Sequence, residues 1–214
     1  MIKENVQKIL DELPEGVELI AACKGRNLDE VREAVEGGIK VIGQNYVQEA
    51  EELIKVIGNK VRWHFIGHLQ KNKVKKAVRL FDIIETVDSL KIAEQIHKAS
   101  LSENKVMPIL VEVNSGREKQ KFGVFPEDAI DFVKKASQLN NIKVMGLMTM
   151  GPMLGDPEDA RPYFTETKRT FEKIKTLDIS NIEMRCLSMG MSNSYKVAIE
   201  EGANIVRIGS KIFK

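Results

Sequence analysis

Two groups of residues, far apart in the chain, have the types and spacing to do chemistry. The first is one lysine, Lys24, closing the apolar run Leu19-Ile20-Ala21-Ala22-Cys23. A lysine at a strand end is commonly a solvated rim residue with its stem along apolar surface. An amine pointing into an apolar mouth differs: desolvation favours its neutral form, which attacks an aldehyde to give a Schiff base. The second group is Ser188-Met189-Gly190-Met191-Ser192-Asn193 with Arg207-Ile208-Gly209-Ser210. Gly190 and Gly209 permit close backbone approach, Ser192 and Ser210 offer hydroxyls, and N–H groups at a helix start bind phosphate. The same residue types also make ordinary tight turns.

Whether these groups meet depends on the elements that carry them. Val6, Ile9, Leu10 and Leu13 predict a helix over Lys3 to Leu13, stopped by Pro14-Glu15-Gly16. Strands are then predicted at 19–24, 40–45, 61–67, 83–87, 108–114, 144–150, 183–188 and 204–209. Helices are predicted between them at 27–37, 47–56, 72–80, 89–99, 126–139, 159–177 and 193–200. In the first strand, period-two alternation puts Ile20, Ala22 and Lys24 on one face and Leu19, Ala21 and Cys23 on the other. Cys23 therefore packs away from Lys24.

Strict alternation of strand and helix implies an α/β fold with parallel strands and right-handed crossovers. Eight strands close into a (β/α)₈ TIM barrel, here with an extra N-terminal helix. An open doubly wound sheet is the alternative, but Lys24-Gly25-Arg26-Asn27 is not its G-x-G-x-x-G turn. At 214 residues the chain is short for a barrel, so the loops are lean and residues 1–214 read as one domain. Barrel chemistry sits at the C-terminal strand ends, which here carry Lys24, Asn45, His64, Gly67, Asn114, Thr149, Ser188, Arg207 and Gly209. The first strand neighbours the last in a closed barrel, so Lys24 falls beside the two Gly/Ser loops. An amine at one end and a phosphate cup at the other are what pyridoxal 5′-phosphate requires.

Several motifs then resemble a known family. Ala22-Cys23-Lys24, Gly43-Gln44-Asn45-Tyr46-Val47-Gln48-Glu49, His64-Phe65-Ile66-Gly67-His68-Leu69-Gln70-Lys71-Asn72-Lys73, Gly146-Leu147-Met148, Leu187-Ser188-Met189-Gly190-Met191-Ser192 and Val206-Arg207-Ile208-Gly209-Ser210 are similar to those of the pyridoxal-phosphate homeostasis proteins, the YggS/PROSC family. The resemblance implies a fold-type III barrel related to the N-terminal domain of alanine racemase, with the cofactor in Schiff-base linkage to Lys24. It implies buffering and delivery of the cofactor, with no robust turnover. Residue by residue, Lys24 matches the linking lysine, Ser192, Gly209 and Ser210 match the phosphate contacts, and Arg207 matches an arginine beside the pyridine nitrogen. Arg207 is also placed to clamp phosphate. Asn45, Ser188 and Gly190 complete the expected cofactor-binding set. The chain departs from the family at Cys23 and Gly25-Arg26-Asn27, and it stops at Lys214 where the family usually continues with Gly and a short basic tail.

Other polar groups have plainer readings. His64, His68 and His97 form no metal-ligand spacing, and no metal is expected. Lys71, Lys73, Lys75, Lys76 and Arg79 read as the solvated face of one helix. The methionines read as barrel filling, with Met148 against the cofactor ring, and Glu112, inside a strand, is expected to pair with a base. Lys121 is a candidate to guide an incoming phosphate.

The formal charge of +2 gives no argument for a nucleic-acid or membrane partner. Two cysteines without metal or CxxC spacing fit a reducing compartment, and no signal or membrane-spanning run is present, so a cytoplasmic location is expected. Expected partners are pyridoxal phosphate and, as recipients, apo-enzymes that use it; the chain is expected as a monomer or weak homodimer. The alternative function is a pyridoxal-phosphate-dependent amino-acid racemase. Racemisation needs acid–base groups on both faces of the substrate, and in alanine racemase a tyrosine completed by a further domain supplies one, which favours the carrier reading here. A barrel enzyme acting on a sugar phosphate through Lys24 is the third reading.

Overall fold

A computed structural model describes residues 1–152 and 155–214. In chain order the elements are α1 (Ile2–Glu12), β1 (Glu18–Ala22), α2 (Leu28–Glu36), β2 (Val41–Gln44), α3 (Val47–Ile57), β3 (Arg62–Phe65), α4 (Val74–Leu80) and β4 (Ile83–Val87). Then follow α5 (Leu90–Ser102), β5 (Met107–Val113), α6 (Ala129–Ala136), β6 (Ile142–Thr149), α7 (Arg161–Lys175), β7 (Ile182–Ser188), α8 (Tyr195–Glu200), β8 (Ile205–Ile208) and α9 (Ser210–Phe213). The eight strands are parallel and close in sequence order, with β1 pairing β8 in the register Ile20↔Arg207 and Ala21↔Ile208.

Local signals account for these elements. Asn27 caps α2 in a reciprocal box: its side chain accepts from the Glu30 N–H at 3.0 Å, and the Glu30 carboxylate accepts from the Asn27 N–H at 2.9 Å. Gly58, at φ +62, ends α3 in a conformation that other residues rarely adopt. Alternation along the strands makes two cores. Leu19, Ala21, Cys23, Trp63, Phe65, Val111, Val113, Val206 and Ile208 join the apolar layer between barrel and helices. Ile20, Val41 and Ile205 pack separately inside the barrel. Above them the interior turns polar: His64, Glu85, Glu112, Ser188 and Arg207 are all buried.

The element order is as read from the chain, and the edges differ. The strand expected at 19–24 stops at Ala22, so Lys24 stands on the following loop. The helix expected at 126–139 contracts to Ala129–Ala136, and short 3-10 turns at Lys71–Lys73 and Pro157–Ala160 precede α4 and α7. Helix α9 was not expected, because four residues are too few for a periodic signal. It buries Ile212 and Phe213, and Asn5 of α1 donates to the Ile212 carbonyl at 3.1 Å. Among the described residues no helix is long and apolar enough to cross a membrane.

Candidate functional site

The C-terminal mouth of the barrel holds a cavity of about 470 Å³ whose lining includes Lys24, Asn45, Ser192, Arg207, Gly209 and Ser210. Lys24 reaches it because β1 ends two residues earlier and Gly25, at φ +68, turns the chain away, its N–H held by the Glu49 carboxylate at 3.0 Å. The Lys24 amine lies 5.7 Å from the centroid of the Tyr46 ring. The side chain is exposed, as in the solvated-rim reading of its position and not as an amine desolvated in an apolar mouth. The amine is open to an incoming carbonyl.

The loops after β7 and β8 are tied by one hydroxyl. Ser192 Oγ accepts from the Gly209 N–H at 3.2 Å and from the Lys211 N–H at 3.5 Å. The N–H groups of Ser192, Asn193 and Ser210 have no acceptor among the described residues. Free amides beside two serine hydroxyls make an anion nest. A Cβ on Gly209 would stand 3.1 Å from the Ala22 carbonyl oxygen, so the small residue there serves the close approach of β8 to β1. Gly190 is outside the cavity lining. It has φ +89, and a Cβ there would meet the Ala198 Cβ at 2.6 Å, so it serves the packing of α8.

Arg207 projects inward from β8 and is 4% exposed. Its Nη2 donates to the Thr149 carbonyl at 2.8 Å and its Nη1 to Ser188 Oγ at 2.5 Å. Ser188 Oγ in turn donates to Glu85 Oε2 at 2.7 Å, and Glu85 Oε1 meets His64 Nδ1 at 2.7 Å. Ser188 is therefore fully buried and outside the cavity lining, a link between Arg207 and Glu85 where a cofactor contact was expected. Burial alone would raise the Glu85 pKa; contacts with His64, Arg207 and Ser188 outweigh it and hold the carboxyl below the usual range. Burial also lowers the Arg207 pKa against the opposing pull of Glu85 and Glu112.

Glu85 escaped the sequence reading. Its signal was an acid between Ile84 and Thr86 in an otherwise apolar strand, a position that needs a buried partner. Glu112 needs the opposite correction. It is 8% exposed, and among the described residues no base pairs with it. Burial, with Asp88 adding and Arg207 opposing, pushes its carboxyl up to about 7. It lines a second cavity, of about 290 Å³, that shares Asn45, Ile66 and Met150 with the first. Met148 lines this second cavity, whereas Met150 lines both.

The remaining candidates are structural. His68 stacks on Phe122 with ring centroids 3.6 Å apart and meets Asp88 at 3.3 Å, and His97 accepts from the Asn141 N–H at 3.2 Å. No cluster of metal-ligating side chains occurs among the described residues. Burial raises the thiol pKa of Cys23, which faces the helices. Lys76 and Arg79 pair with Glu51 and Glu103 at 2.5 and 2.7 Å, as befits a solvated face, and Lys121 pairs with Glu118 at 2.5 Å.

A closed parallel barrel with a reachable lysine after its first strand and an anion nest after its last two defines a class, the alanine racemase-like barrels. The chain matches the family described as "Alanine racemase, N-terminal domain" over residues 1–214. Alanine racemase of Clostridium difficile 630 shares the fold at a TM-score of 0.83 and 16% identity, covering 99% of this chain and 56% of that one. The pyridoxal phosphate homeostasis protein of Aquifex aeolicus is 38% identical over 216 residues, 99% of this chain and 94% of its own length. The structure of PipY from Synechococcus elongatus with pyridoxal phosphate bound has a TM-score of 0.91 at 28% identity, with 100% of each chain covered. The chain belongs to the pyridoxal phosphate homeostasis protein family.

Proposed function

We propose that this chain binds pyridoxal 5′-phosphate in the Lys24 cavity and serves its homeostasis in the cytoplasm, holding it as a reversible Schiff base on Lys24 and buffering or delivering it. The observation that carries this reading is that an exposed lysine amine and a nest of unpartnered amides line one cavity. When bound, the cofactor supplies an aldehyde for an amine and a phosphate for the nest.

Each residue then has a task. Ser192 and Ser210 receive the phosphate, Gly209 lets it approach the backbone closely, and Asn45 borders the ring. The Arg207 side chain donates to Thr149 and Ser188, on β6 and β7, and to no group of the Ser192 loop among the described residues, which supports a place beside the pyridine nitrogen over a phosphate clamp. A cation there disfavours protonation of that nitrogen and weakens the ring as an electron sink, which supports holding over turnover. Ser188 acts through Arg207, and Gly190 through the packing of α8. Residues 1–214 form one cofactor-binding domain in this reading, a monomer or weak homodimer whose recipients are apo-enzymes.

Absorbance of the purified, loaded protein tests this. A protonated Schiff-base band is expected in the parent and lost in Lys24→Ala, with faster cofactor loss on dilution in Ser192→Ala and Ser210→Ala. A band that survives Lys24→Ala overturns the linkage. Steady racemisation of alanine above the Lys24→Ala background overturns the carrier role in favour of a racemase.

A further inference from the structure

The second cavity has a chemistry that the cofactor site does not use. Its lining includes Glu112, which alternation along β5 turns into the barrel while Val111 and Val113 face the helices. The side chain is 8% exposed, lines the cavity, and accepts no hydrogen bond among the described residues. A buried carboxyl without a partner is costly, and one aimed into a cavity is satisfied by a ligand that supplies donors or positive charge.

The charges around it select the sign of that ligand. Asp88, beyond β4, adds negative charge, and Arg207, from β8, opposes it while committed to Ser188 and Thr149. The two basic side chains in the lining are engaged elsewhere: Lys121 with Glu118 at 2.5 Å and His68 with Asp88 at 3.3 Å. Ile66, Phe122, Met148 and Met150 supply apolar wall. A carboxylate in a cavity with apolar walls fits a positive head on a hydrocarbon stem, and an α-amino acid would bring its own carboxylate against Glu112.

We propose that this cavity is a subsite for a primary alkylammonium group, its head on the Glu112 carboxylate and its stem along Ile66, Met148 and Met150. The lysine side chain of a protein and a free alkylamine share this chemistry. Because the cavity shares Asn45, Ile66 and Met150 with the Lys24 site, a bound amine stands beside the place where Lys24 holds its own. The subsite exists without the cofactor; only its use for the amine that takes the cofactor over rests on the function proposed above.

Cofactor-free protein with ¹³C-methyl methionine, titrated with n-butylammonium, Nα-acetyl-lysinamide, n-butanol and alanine, tests the subsite by NMR. The Met148 and Met150 methyl signals are expected to shift with both amines and much less with butanol or alanine. Affinity for n-butylammonium should rise about tenfold from pH 6 to pH 8, as Glu112 ionises through about 7 while the amine stays charged. Glu112→Gln should lose most of the affinity and its pH dependence. Shifts with both amines assign a protein-borne lysine as ligand, and shifts with n-butylammonium alone assign a free amine. Equal binding of butanol, equal affinity in Glu112→Gln, or no response at pH 8 overturns the proposal. Should Glu112→Gln fail to fold, the pH dependence measured in a His68→Asn variant, where the imidazole cannot account for it, decides. The Lys24 band is read separately with cofactor present, so failure of one reading leaves the other standing.

Discussion

Glu85 and Glu112 project into one barrel interior from neighbouring strands, both out of water, and their protonation tendencies are opposite. Glu85 sits between His64 and Ser188 with Arg207 3.9 Å away, and these partners hold its carboxyl down. Glu112 has a cavity in front of it and Asp88 nearby, and its carboxyl rises to about 7. Burial acts alike on both; the partners decide the sign. The comparison teaches that one acid is a structural anchor for Arg207 while the other is an acceptor that faces a cavity at the mouth.

The strongest way to break this contrast is to remove the anchor. Glu85→Ala leaves Arg207 buried without its counter-charge and His64 without its hydrogen-bond partner, and is expected to cost about 3–5 kcal/mol in urea unfolding. A loss below about 1 kcal/mol would mean that Arg207 does not depend on Glu85.

Glu112 should respond with the opposite sign. Its pKa is raised from 4.5 to about 7 on folding, so the folded state holds the proton more tightly. Its contribution is fully present below pH 4.5 and is lost as pH rises through about 7, a span equivalent to about 3 kcal/mol. Glu112→Gln should therefore stabilise the protein at pH 8 by up to about 3 kcal/mol and leave it little changed at pH 4. Chemical denaturation at the two pH values checks this, and destabilisation at pH 8 would show a partner for Glu112 after all. Glu85 follows the reverse course: its contribution is present above pH 4.5 and is lost as pH falls through its depressed folded value.

The smallest effect is expected at the bridge. Ser188→Ala removes the hydroxyl between Arg207 and Glu85 and should cost about 1–2 kcal/mol. The accompanying readout is the cofactor absorbance: a looser Arg207 should shift the pH dependence of the Schiff-base band, which a merely structural serine would leave alone.

Much of the scaffold was legible in the chain. Lys24 after the first strand and Ser192, Gly209 and Ser210 after the last two were placed by strand order alone, and one cavity contains them. Ser188 and Gly190 were named from the same loop and fall outside that cavity, because a loop's sequence does not say which way each residue turns. Alternation put Lys24 on the face of Ile20 and Ala22, but β1 ends at Ala22, before the alternation reaches it.

The sequence by itself determined the order of strands and helices, and hence the closure that brings the two ends of the chain together. Periodicity of apolar residues and capping are properties of neighbours along the chain, so they survive in the sequence alone. Only the tertiary structure decided the fates of Glu85 and Glu112. Their titration depends on Arg207, Ser188, His64 and Asp88, which reach them from other strands and loops, and on how much water the closed barrel excludes. Those distances exist only after folding.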